Sequence, residues 1–492
     1  MAVEKLHEIE EPVSTTKQST TSYDTSKRPF GKRDVFGYFM GDLGGNFSFD
    51  LVNMYMFIFF TQFIGIELAH YALIILIAKI LDGINDPLIG MVIDRFRLKS
   101  PDKFKPWIMR MAPLLAFSMS VMFIDASDWS YTAKIALFAG SYFLWDLLYT
   151  FVNVPYGALS SVMTTKASER TALSTARSIG GFVPNILYGI FIPIVLYTTV
   201  VVDGESKSIF QGEMMFPITL VTGVLAILSY VALYYNTEER IVHYSHSSQD
   251  KSKTNKYSFF DTFINFFKNR AMIGLALVAL AQILFLNGAQ QLNSLTFQLY
   301  FEDGKLNSYV IIVTLIPMIL GVTIGNKLVK RFGKKEIVAY PLLISIAIYL
   351  VMLFAPISNP FVWLGLQAFA SVFSFGLGIY TWAMVADAID YQEWKTGKRN
   401  EGSVYSMYSM IRKLGQGLGA SIVPATIAII LPGLKLSDAS TWTAEYATSI
   451  KNLSVIFPIT GMALIMLAML FVYNLDKNTL SKVQNDLGHE SE

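Results

Sequence analysis

The chain has 492 residues, of which 53% are hydrophobic and only 15% are charged, whereas soluble proteins carry about 25% charged residues. It has no cysteine, which excludes disulfides, thiolate metal sites and a cysteine nucleophile. The 39 basic and 37 acidic residues leave a net charge of +2, which does not indicate a nucleic-acid partner. The composition therefore predicts a membrane protein.

Residues 1–34 are rich in Ser, Thr, Lys and Glu and contain no apolar run, which predicts a disordered tail rather than a signal peptide. Apolar blocks follow, and a bilayer is spanned by about 20 residues of helix. We predict twelve spans, at 36–63, 68–94, 107–126, 132–163, 175–200, 215–236, 270–300, 308–329, 336–356, 361–388, 403–431 and 452–474. A polar loop at 237–269 separates two six-helix bundles, at 35–236 and 270–475, and a tail occupies 476–492.

Basic residues concentrate in the loops on the side of the two termini, mainly at 95–105, 240–270 and 327–335. The opposite loops hold only Lys134, Lys207, Lys305, Lys435 and Lys451. Because Lys and Arg collect in cytoplasmic loops, we predict a bacterial plasma-membrane protein with both termini in the cytoplasm.

The two halves show a weak internal repeat. The sequence IGMVIDRF ends at Phe96 and GNKLVKRF ends at Phe332, and the same offset places Arg177 over Lys413. Coincidence could supply a match of this length. Together with six spans in each half, however, the repeat favours a transporter built from two parallel repeats.

The second predicted span carries a cluster of two carboxylates and an amide, Asp82, Asn85 and Asp86. Residues four apart share a helix face, and each charge near the middle of a membrane costs roughly 2.5–3.5 kcal/mol. Lys79 could form a structural salt bridge with Asp82, but one lysine cannot balance two carboxylates. Since hard cations prefer carboxylate and amide oxygens, we predict a site for a coupling cation or proton.

Two further spans carry polar stripes at helical spacing. The first span has Asp42, Asn46, Phe49, Asp50 and Asn53, and the fourth has Trp145, Asp146, Tyr149, Thr150 and Asn153. Such stripes face either a cavity or another helix. Helix packing through interhelical hydrogen bonds is the alternative to a transport path.

Charged residues near the ends of later spans are candidates for binding and gating. Arg177 opens the fifth span and Lys413 the eleventh, and glycines follow both. They could snorkel to the interface, but their matched positions favour a shared cavity. Asp387, Asp390 and Glu393 end the tenth span beside basic loops, where they form either a gate or a solvated helix end.

Several motifs resemble those of the glycoside-pentoside-hexuronide:cation symporters, the family of the major facilitator superfamily that includes melibiose permease. The resemblance covers about residues 34–480. It is carried by GDLGGNFSFDLVNMY, DGINDP, KFKPW, LWDLLYTFVNVPYGAL, ERTALSTAR, WAMVADAIDYQEWKTGKRNEG and YSMIRKLGQGLG.

The resemblance implies an all-α membrane protein with the major facilitator fold, twelve transmembrane helices in two six-helix bundles. It implies a cation site formed by Asp82, Asn85, Asp86 and Thr150. It implies sugar contacts from Asn46, Phe49, Tyr149, Asn153, Arg177, Tyr408, Ser409 and Lys413.

Departures from melibiose permease make a galactoside an unfavourable substrate. Gly45-Asn46 stands in place of a Lys-Asp pair, and Asn153 stands in place of an aspartate. The pattern looks more like the pentoside, xyloside and glucuronide branch, in which Asp42 and Asp50 would supply polar contacts.

We therefore predict a monomeric symporter that binds a sugar or glycoside with H+ or Na+ and works by alternating access. It is expected to be no enzyme and to need no cofactor or metal centre, since no HExxH or similar cluster is present. H+ is favoured over Na+. His70 lies only at the mouth of the second span, so deeper in the membrane a carboxylate would have to carry the proton. The alternatives are a lipid or lysolipid transporter on the same fold and a non-transporting membrane sensor.

Overall fold

A computed structural model of the chain describes residues 21–23, 26–96, 98, 100–164, 166–202, 205–243, 267–397 and 401–487. The amino-terminal half contains six long helices, α1 (Lys32–Ile58), α2 (Leu68–Arg95), α3 (Lys105–Met122), α4 (Tyr131–Met163), α5 (Ala167–Leu196) and α6 (Met215–Asn236). A π-helical turn at Phe59–Phe63 extends α1. These six helices correspond to the six predicted spans of this half.

The carboxy-terminal half also forms six spans, several of them built from two helices. Its helices are α7 (Arg270–Ala281), α8 (Asn287–Leu299), α9 (Ser308–Phe332), α10 (Lys334–Ala339), α11 (Leu342–Phe354), α12 (Pro360–Val372), α13 (Phe375–Thr396), α14 (Glu401–Ile430), α15 (Ala444–Leu467) and α16 (Lys477–Leu487). A π-helical turn at Gln282–Leu286 joins α7 to α8 in one span, and another at Ala468–Val472 extends α15. By length and composition alone, eight helices in the described part are able to cross a membrane.

A β-hairpin between α5 and α6 joins the two halves. Its strands, β2 (Tyr197–Val202) and β3 (Glu205–Phe210), pair antiparallel. Ser208 is the main contact: its carbonyl oxygen accepts a hydrogen bond from Gln298 Nε2 at 3.0 Å, and its Oγ accepts one from the Gly304 N–H at 3.0 Å. The Lys207 ammonium donates to the Ala439 carbonyl oxygen at 3.0 Å. The carboxy-terminal half therefore holds this loop in place.

The sequence does not predict this hairpin, and the predicted fifth span wrongly extends into it, to residue 200. The run Thr198–Val202 consists of Thr and Val, whose hydropathy continues that of the helix. These β-branched residues favour an extended strand over helix.

We call the side of the protein that carries the hairpin the hairpin side. The side where α1 begins and α15 ends is called the terminal side.

Among the described residues, the two halves share a hydrophobic core toward the hairpin side. The core of the amino-terminal half continues into the other half through residues such as Leu292, Leu295, Val423 and Ile427. The carboxy-terminal half has a separate core nearer the terminal side, around residues such as Leu275 and Met384. The halves thus pack together at the hairpin side and part toward the terminal side.

The prediction of a disordered tail is wrong for its last part. Strand β1 (Thr21–Tyr23) pairs antiparallel with β4 (Ile241–His243), which follows α6. Arg240 is fully buried and donates from one nitrogen to both carboxylate oxygens of Asp34, at 2.9 and 3.0 Å. Residues 1–20 and 244–266, which include most of the predicted tail and linker, lie outside the described residues.

Two cations lie deeper in their helices than the sequence predicts, and the fifth span begins eight residues earlier than predicted. Helix α5 begins at Ala167 and α14 at Glu401, so Arg177 and Lys413 lie well inside their helices. At 1.5 Å per residue these positions are about 15 and 18 Å from the helix starts. The prediction that they open their spans is wrong, because the first turns of both helices are as polar as a loop.

Two glycines allow α5 to approach α1 closely. A Cβ atom at Gly180 would lie 2.7 Å from the Phe39 carbonyl oxygen, and one at Gly181 would lie 3.0 Å from Asp42 Oδ2. Small residues at helix contacts bring membrane helices together in this way. The approach places α5 against the polar stripe of α1.

We expect Gly180→Ala to lower the thermal unfolding temperature in detergent, because the added methyl group has to push two backbones apart at a cost of about 1–3 kcal/mol. Gly140→Ala on α4 is the matched control, since a Cβ there meets nothing within 4 Å. Alanine should leave that helix unchanged or slightly more stable. Equal unfolding temperatures for the two variants would contradict the close α1–α5 contact.

Candidate functional site between the two halves

A charged contact between α1 and α5 lies at the predicted sugar site. Arg177 Nε is 3.2 Å from Asp42 Oδ1, and Asn46 Nδ2 donates to Asp42 Oδ2 at 3.0 Å. The Arg177 side chain is 43% exposed and that of Asp42 only 12%. Asp42 is thus held inside the helix pair, while the guanidinium of Arg177 keeps donors available to a ligand.

Aromatic side chains from α1 and α4 form a stack next to this contact. The Phe49 ring lies 5.2 Å from the Tyr149 ring, which lies 5.6 Å from Trp145. Trp145 is almost fully buried and its Nε1 donates to Ser48 Oγ at 2.7 Å. The hydrogen bond fixes the indole, so the stack is a rigid surface of the amino-terminal half.

The structure therefore brings together most of the predicted sugar contacts of this half. Asn46 and Phe49 lie one turn apart on α1, Tyr149 lies on α4 and Arg177 on α5. Asp50 is on the same α1 face, and its Oδ2 is buried without a hydrogen-bond partner among the described residues. Asn153, one turn beyond Tyr149, is half-buried.

Lys79 is the centre of a second charged cluster, between α2 and α4. Its ammonium lies 3.7 Å from Asp82 Oδ2 and 3.4 Å from Asp146 Oδ1. It also lies 5.6 Å from the centre of the Tyr142 ring, a cation–π contact. The structure therefore contains the Lys79–Asp82 salt bridge that the sequence left open as an alternative.

The remaining predicted cation-site residues lie on the same two helices, α2 and α4. Asn85 Nδ2 is buried without a hydrogen-bond partner in the described part of the chain. Thr150 is buried on α4 and its Oγ1 donates to the Asp146 carbonyl oxygen at 3.1 Å, which leaves its lone pairs available. Asp86 lies on α2, but its side chain is outside the described residues. That these groups bind a cation stays a prediction.

Helix α14 brings the other half against the Lys79 cluster. A Cβ atom at Gly417 would lie 2.6 Å from Lys79 Cβ, so the two backbones are in close contact there. Lys413 lies one turn earlier on α14. The predicted substrate-binding lysine is therefore one helical turn from this contact.

Two other predicted residues of α14 are less available to a ligand. Tyr408 is fully buried, with its ring 5.7 Å from that of Trp382 and 6.0 Å from the Arg412 guanidinium. Ser409 is half-buried. In this conformation Tyr408 supports the helix packing of its own half and offers no surface to a sugar.

The predicted gating residues lie on α13 at the terminal side. Both Asp387 oxygens lie 3.2 Å from the Lys334 ammonium, which belongs to the same half. Asp390 and Glu393 follow at one-turn intervals and are half-buried. The Asp387 pair joins α13 to α10, and its role as a gate stays a prediction.

Sequence reasoning misses Asp146 as a partner of Lys79. Lys79 is visible as a residue three positions before Asp82, and Asp146 is visible as part of a polar stripe on the fourth span. Nothing in one sequence indicates which stripe faces which helix. Only the packing of α2 on α4 makes these three residues one cluster.

We expect Lys79→Gln to destabilise the protein by about 3 kcal/mol at neutral pH, because it leaves the carboxylates of Asp82 and Asp146 without their cation. Acid should restore part of the loss by protonating one carboxylate. Thermal unfolding in detergent at pH 7.5 and at pH 5 measures both effects.

The double variant Lys79→Gln/Asp146→Asn is the matched control, since it removes one charge of each sign. It should be more stable at pH 7.5 than the single variant and less sensitive to acid. A single variant with wild-type stability at both pH values would contradict the ion-pair role of Lys79.

Solved transporter structures share the fold. The nucleoside transporter NupG matches with a TM-score of 0.53 at 14% identity, covering 88% of this chain and 98% of that one. A bacterial homologue of the human lysosomal transporter Spinster, in an inward-facing and unoccupied conformation, matches with a TM-score of 0.56 at 15% identity, covering 92% and 97%.

Sequence relatives include transporters with named sugars. The chain is 31% identical to the uncharacterized symporter YjmB of Bacillus subtilis (strain 168) over 96% of this chain and 98% of that one. It is 27% identical to the isoprimeverose transporter of Lactiplantibacillus pentosus, covering 97% and 95%. It is 28% identical to the glucuronide carrier protein homolog of Escherichia coli (strain K12), covering 80% and 83%.

The family model described as MFS/sugar transport protein matches residues 37–477. This match and the relatives confirm the resemblance to the pentoside and glucuronide branch and the predicted all-α major facilitator fold. The chain belongs to the MFS/sugar transport protein family, and it is a multi-pass membrane transporter and not an enzyme.

Proposed function

We propose that the protein moves a glycoside or pentoside across the plasma membrane together with H+ or Na+, by alternating access. The observation that carries this proposal is the Asp42–Arg177 contact beside the aromatic stack of Phe49, Tyr149 and Trp145. The pair and the stack offer the two kinds of contact that a sugar needs.

A sugar presents hydroxyl groups at its edge and C–H groups on its faces. Arg177 supplies donors, Asp42 supplies acceptors, and Asn46 supplies both. The rings of Phe49 and Tyr149 supply an apolar surface for a sugar face. A lipid transporter would need an apolar opening instead, which charged and amide groups at this depth disfavour.

The substrate class that we favour is a xyloside or a glucuronide. Relatives named as an isoprimeverose transporter and a glucuronide carrier homolog support sugars of this kind. The partly exposed guanidinium of Arg177 suits a glucuronide carboxylate, which arginine binds with two parallel hydrogen bonds. It also suits the hydroxyl groups of an uncharged xyloside.

Coupling would depend on the cluster of Lys79, Asp82 and Asp146. A proton or cation bound there changes the charge balance between α2 and α4, next to Tyr149 of the aromatic stack. If the ion raises the affinity for sugar, the sugar raises the affinity for the ion by the same factor. We favour H+, because Lys79 already supplies a fixed cation to both carboxylates.

The orientation that we propose places the terminal side in the cytoplasm, since its loops hold most of the lysines and arginines. The hairpin would then close the outer side, and the gap between the halves would open to the cytoplasm. The functional unit would be one chain, because both walls of the site come from the same polypeptide.

Counterflow in proteoliposomes tests the function directly. We expect preloaded vesicles to take up labelled isoprimeverose, p-nitrophenyl xyloside or p-nitrophenyl glucuronide. Arg177→Gln should raise the sugar concentration for half-maximal counterflow at least about tenfold, because charged hydrogen bonds contribute about 1.5–3 kcal/mol. Arg33→Gln is the control, since Arg33 is exposed and bonds Asn236 at the terminal side. No counterflow of any of the three sugars by the wild type would refute the proposed substrate class.

Replacing Asp82 with Asn separates coupling from sugar binding. We expect it to abolish accumulation of sugar against a gradient while counterflow continues. The reason is that an amide neither carries a proton nor neutralises the positive charge of Lys79. Asp86→Asn should act in the same way if Asp86 belongs to the ion site. Sugar added to de-energised wild-type cells should make the medium alkaline, whereas a requirement for added Na+ would identify Na+ as the coupling ion. Normal accumulation in both variants would contradict the coupling role.

A further inference from the structure

Helix α8 carries a face of amides and hydroxyls in the carboxy-terminal half. Its members are spaced by three or four residues and therefore share one side of the helix. They are Asn287, Gln290, Gln291, Ser294 and Gln298. The opposite part of α8, which includes Gly288 and Leu292, packs on α14 and α15.

The last two members of this amide face show where the face points. Ser294 Oγ lies 3.4 Å from the Tyr197 hydroxyl, and Gln298 Nε2 donates to the Ser208 carbonyl oxygen at 3.0 Å. Tyr197 and Ser208 belong to the hairpin of the amino-terminal half. The amide face of α8 is therefore turned toward the other half.

Continuing along the same face leads to the depth of the candidate sugar site. Asn287 lies near the middle of the span that begins at Arg270 and ends at Leu299. Asn46 likewise lies near the middle of the first span, which begins at Lys32 and ends at Phe63. The two positions are thus at similar depths, where transporters of this construction hold their substrates.

The three deeper amides have hydrogen-bonding groups to offer. Asn287 and Gln290 are exposed, and Gln291 Oε1 is buried without a hydrogen-bond partner in the described part of the chain. Amides at this depth are unfavourable against lipid and face an interior or a water-filled gap. The π-helical turn Gln282–Leu286 directly precedes them, and such turns are frequent at functional sites.

We propose that Asn287, Gln290 and Gln291 form the second wall of the glycoside site and bind adjacent hydroxyl groups of the sugar. This inference rests on the proposed function and adds the contribution of the carboxy-terminal half. A primary amide has one acceptor and two donors, so it can bind two neighbouring hydroxyls at once. The wall is neutral, in contrast to the Asp42–Arg177 contact across the gap.

Equilibrium binding of p-nitrophenyl xyloside and p-nitrophenyl glucuronide, and of their monodeoxy analogues, tests the proposal on the full-length protein in detergent. Gln290→Ala should raise the dissociation constant of at least one parent glycoside about three- to tenfold, as expected for one or two lost hydrogen bonds. Gln291→Met keeps the side-chain volume and should act similarly. For the deoxy analogue that lacks the bound hydroxyl, variant and wild type should bind equally.

The control is Gln211→Ala, which removes an exposed glutamine near the hairpin and should leave every dissociation constant unchanged. Unfolding temperatures close to that of the wild type would show that the α8 variants are folded. If Gln290→Ala does not fold, Gln291→Met tests the proposal in its place. Dissociation constants within twofold of wild type for both variants would refute the second wall and leave the proposed function standing. An equal loss of affinity for the parent and the deoxy sugars would also refute the second wall. If the wild type binds neither glycoside, the proposed function falls and this inference with it.

Discussion

A charge inside a bilayer has to be neutralised where it stands, and this requirement organises the described structure. The cost of an unpaired charge at the membrane centre is at least a few kcal/mol. Asp42 is paired with Arg177, and Lys79 is shared between Asp82 and Asp146. The Asp42–Arg177 and Lys79–Asp146 pairs each join two different helices, so the same contacts that neutralise charge also fix the helices around the candidate site.

In the proposed symport, this pairing also limits which ion can bind at Asp82. A cation that approached Asp82 would come within a few ångströms of the Lys79 ammonium, and two like charges about 4 Å apart repel by about 4 kcal/mol at an intermediate dielectric constant. Entry of an ion therefore requires Lys79 to lean toward Asp146 or move away. A proton avoids this repulsion, because it joins the carboxylate and carries no separate charge. The position of Lys79 thus favours a proton over a metal cation at Asp82.

The sequence predicts the parts of this structure that depend on one helix at a time. The spacing of Asn46 and Phe49 identifies the polar face of α1, and the spacing of Asp82 and Asn85 identifies that of α2. Contacts between two helices could not be predicted. Lys79 meets Asp146 because α2 packs on α4, and the spacing of residues along one helix does not show which helix packs against it. The hairpin at Tyr197–Phe210 escapes prediction for a related reason, since its Val and Thr residues are as apolar as a helix end.

In the proposed mechanism, the asymmetry between the halves allows the Lys79 cluster to influence the candidate sugar site. The repeat offset places Met318 and Gly321 where the first half has Asp82 and Asn85, so the carboxy-terminal half has no counterpart to the cluster at those positions. It instead contributes α14, whose Gly417 lies against Lys79. The contact has no space for a side chain at position 417. A shift of α2 relative to α14 therefore has to move the backbones of the two helices. Lys413 lies one turn away, so the same shift changes its distance from Asp82. The proposed coupling between ion and sugar requires that a change of charge on α2 reach the opposite half, and the packing of α2 against α14 provides a route for it.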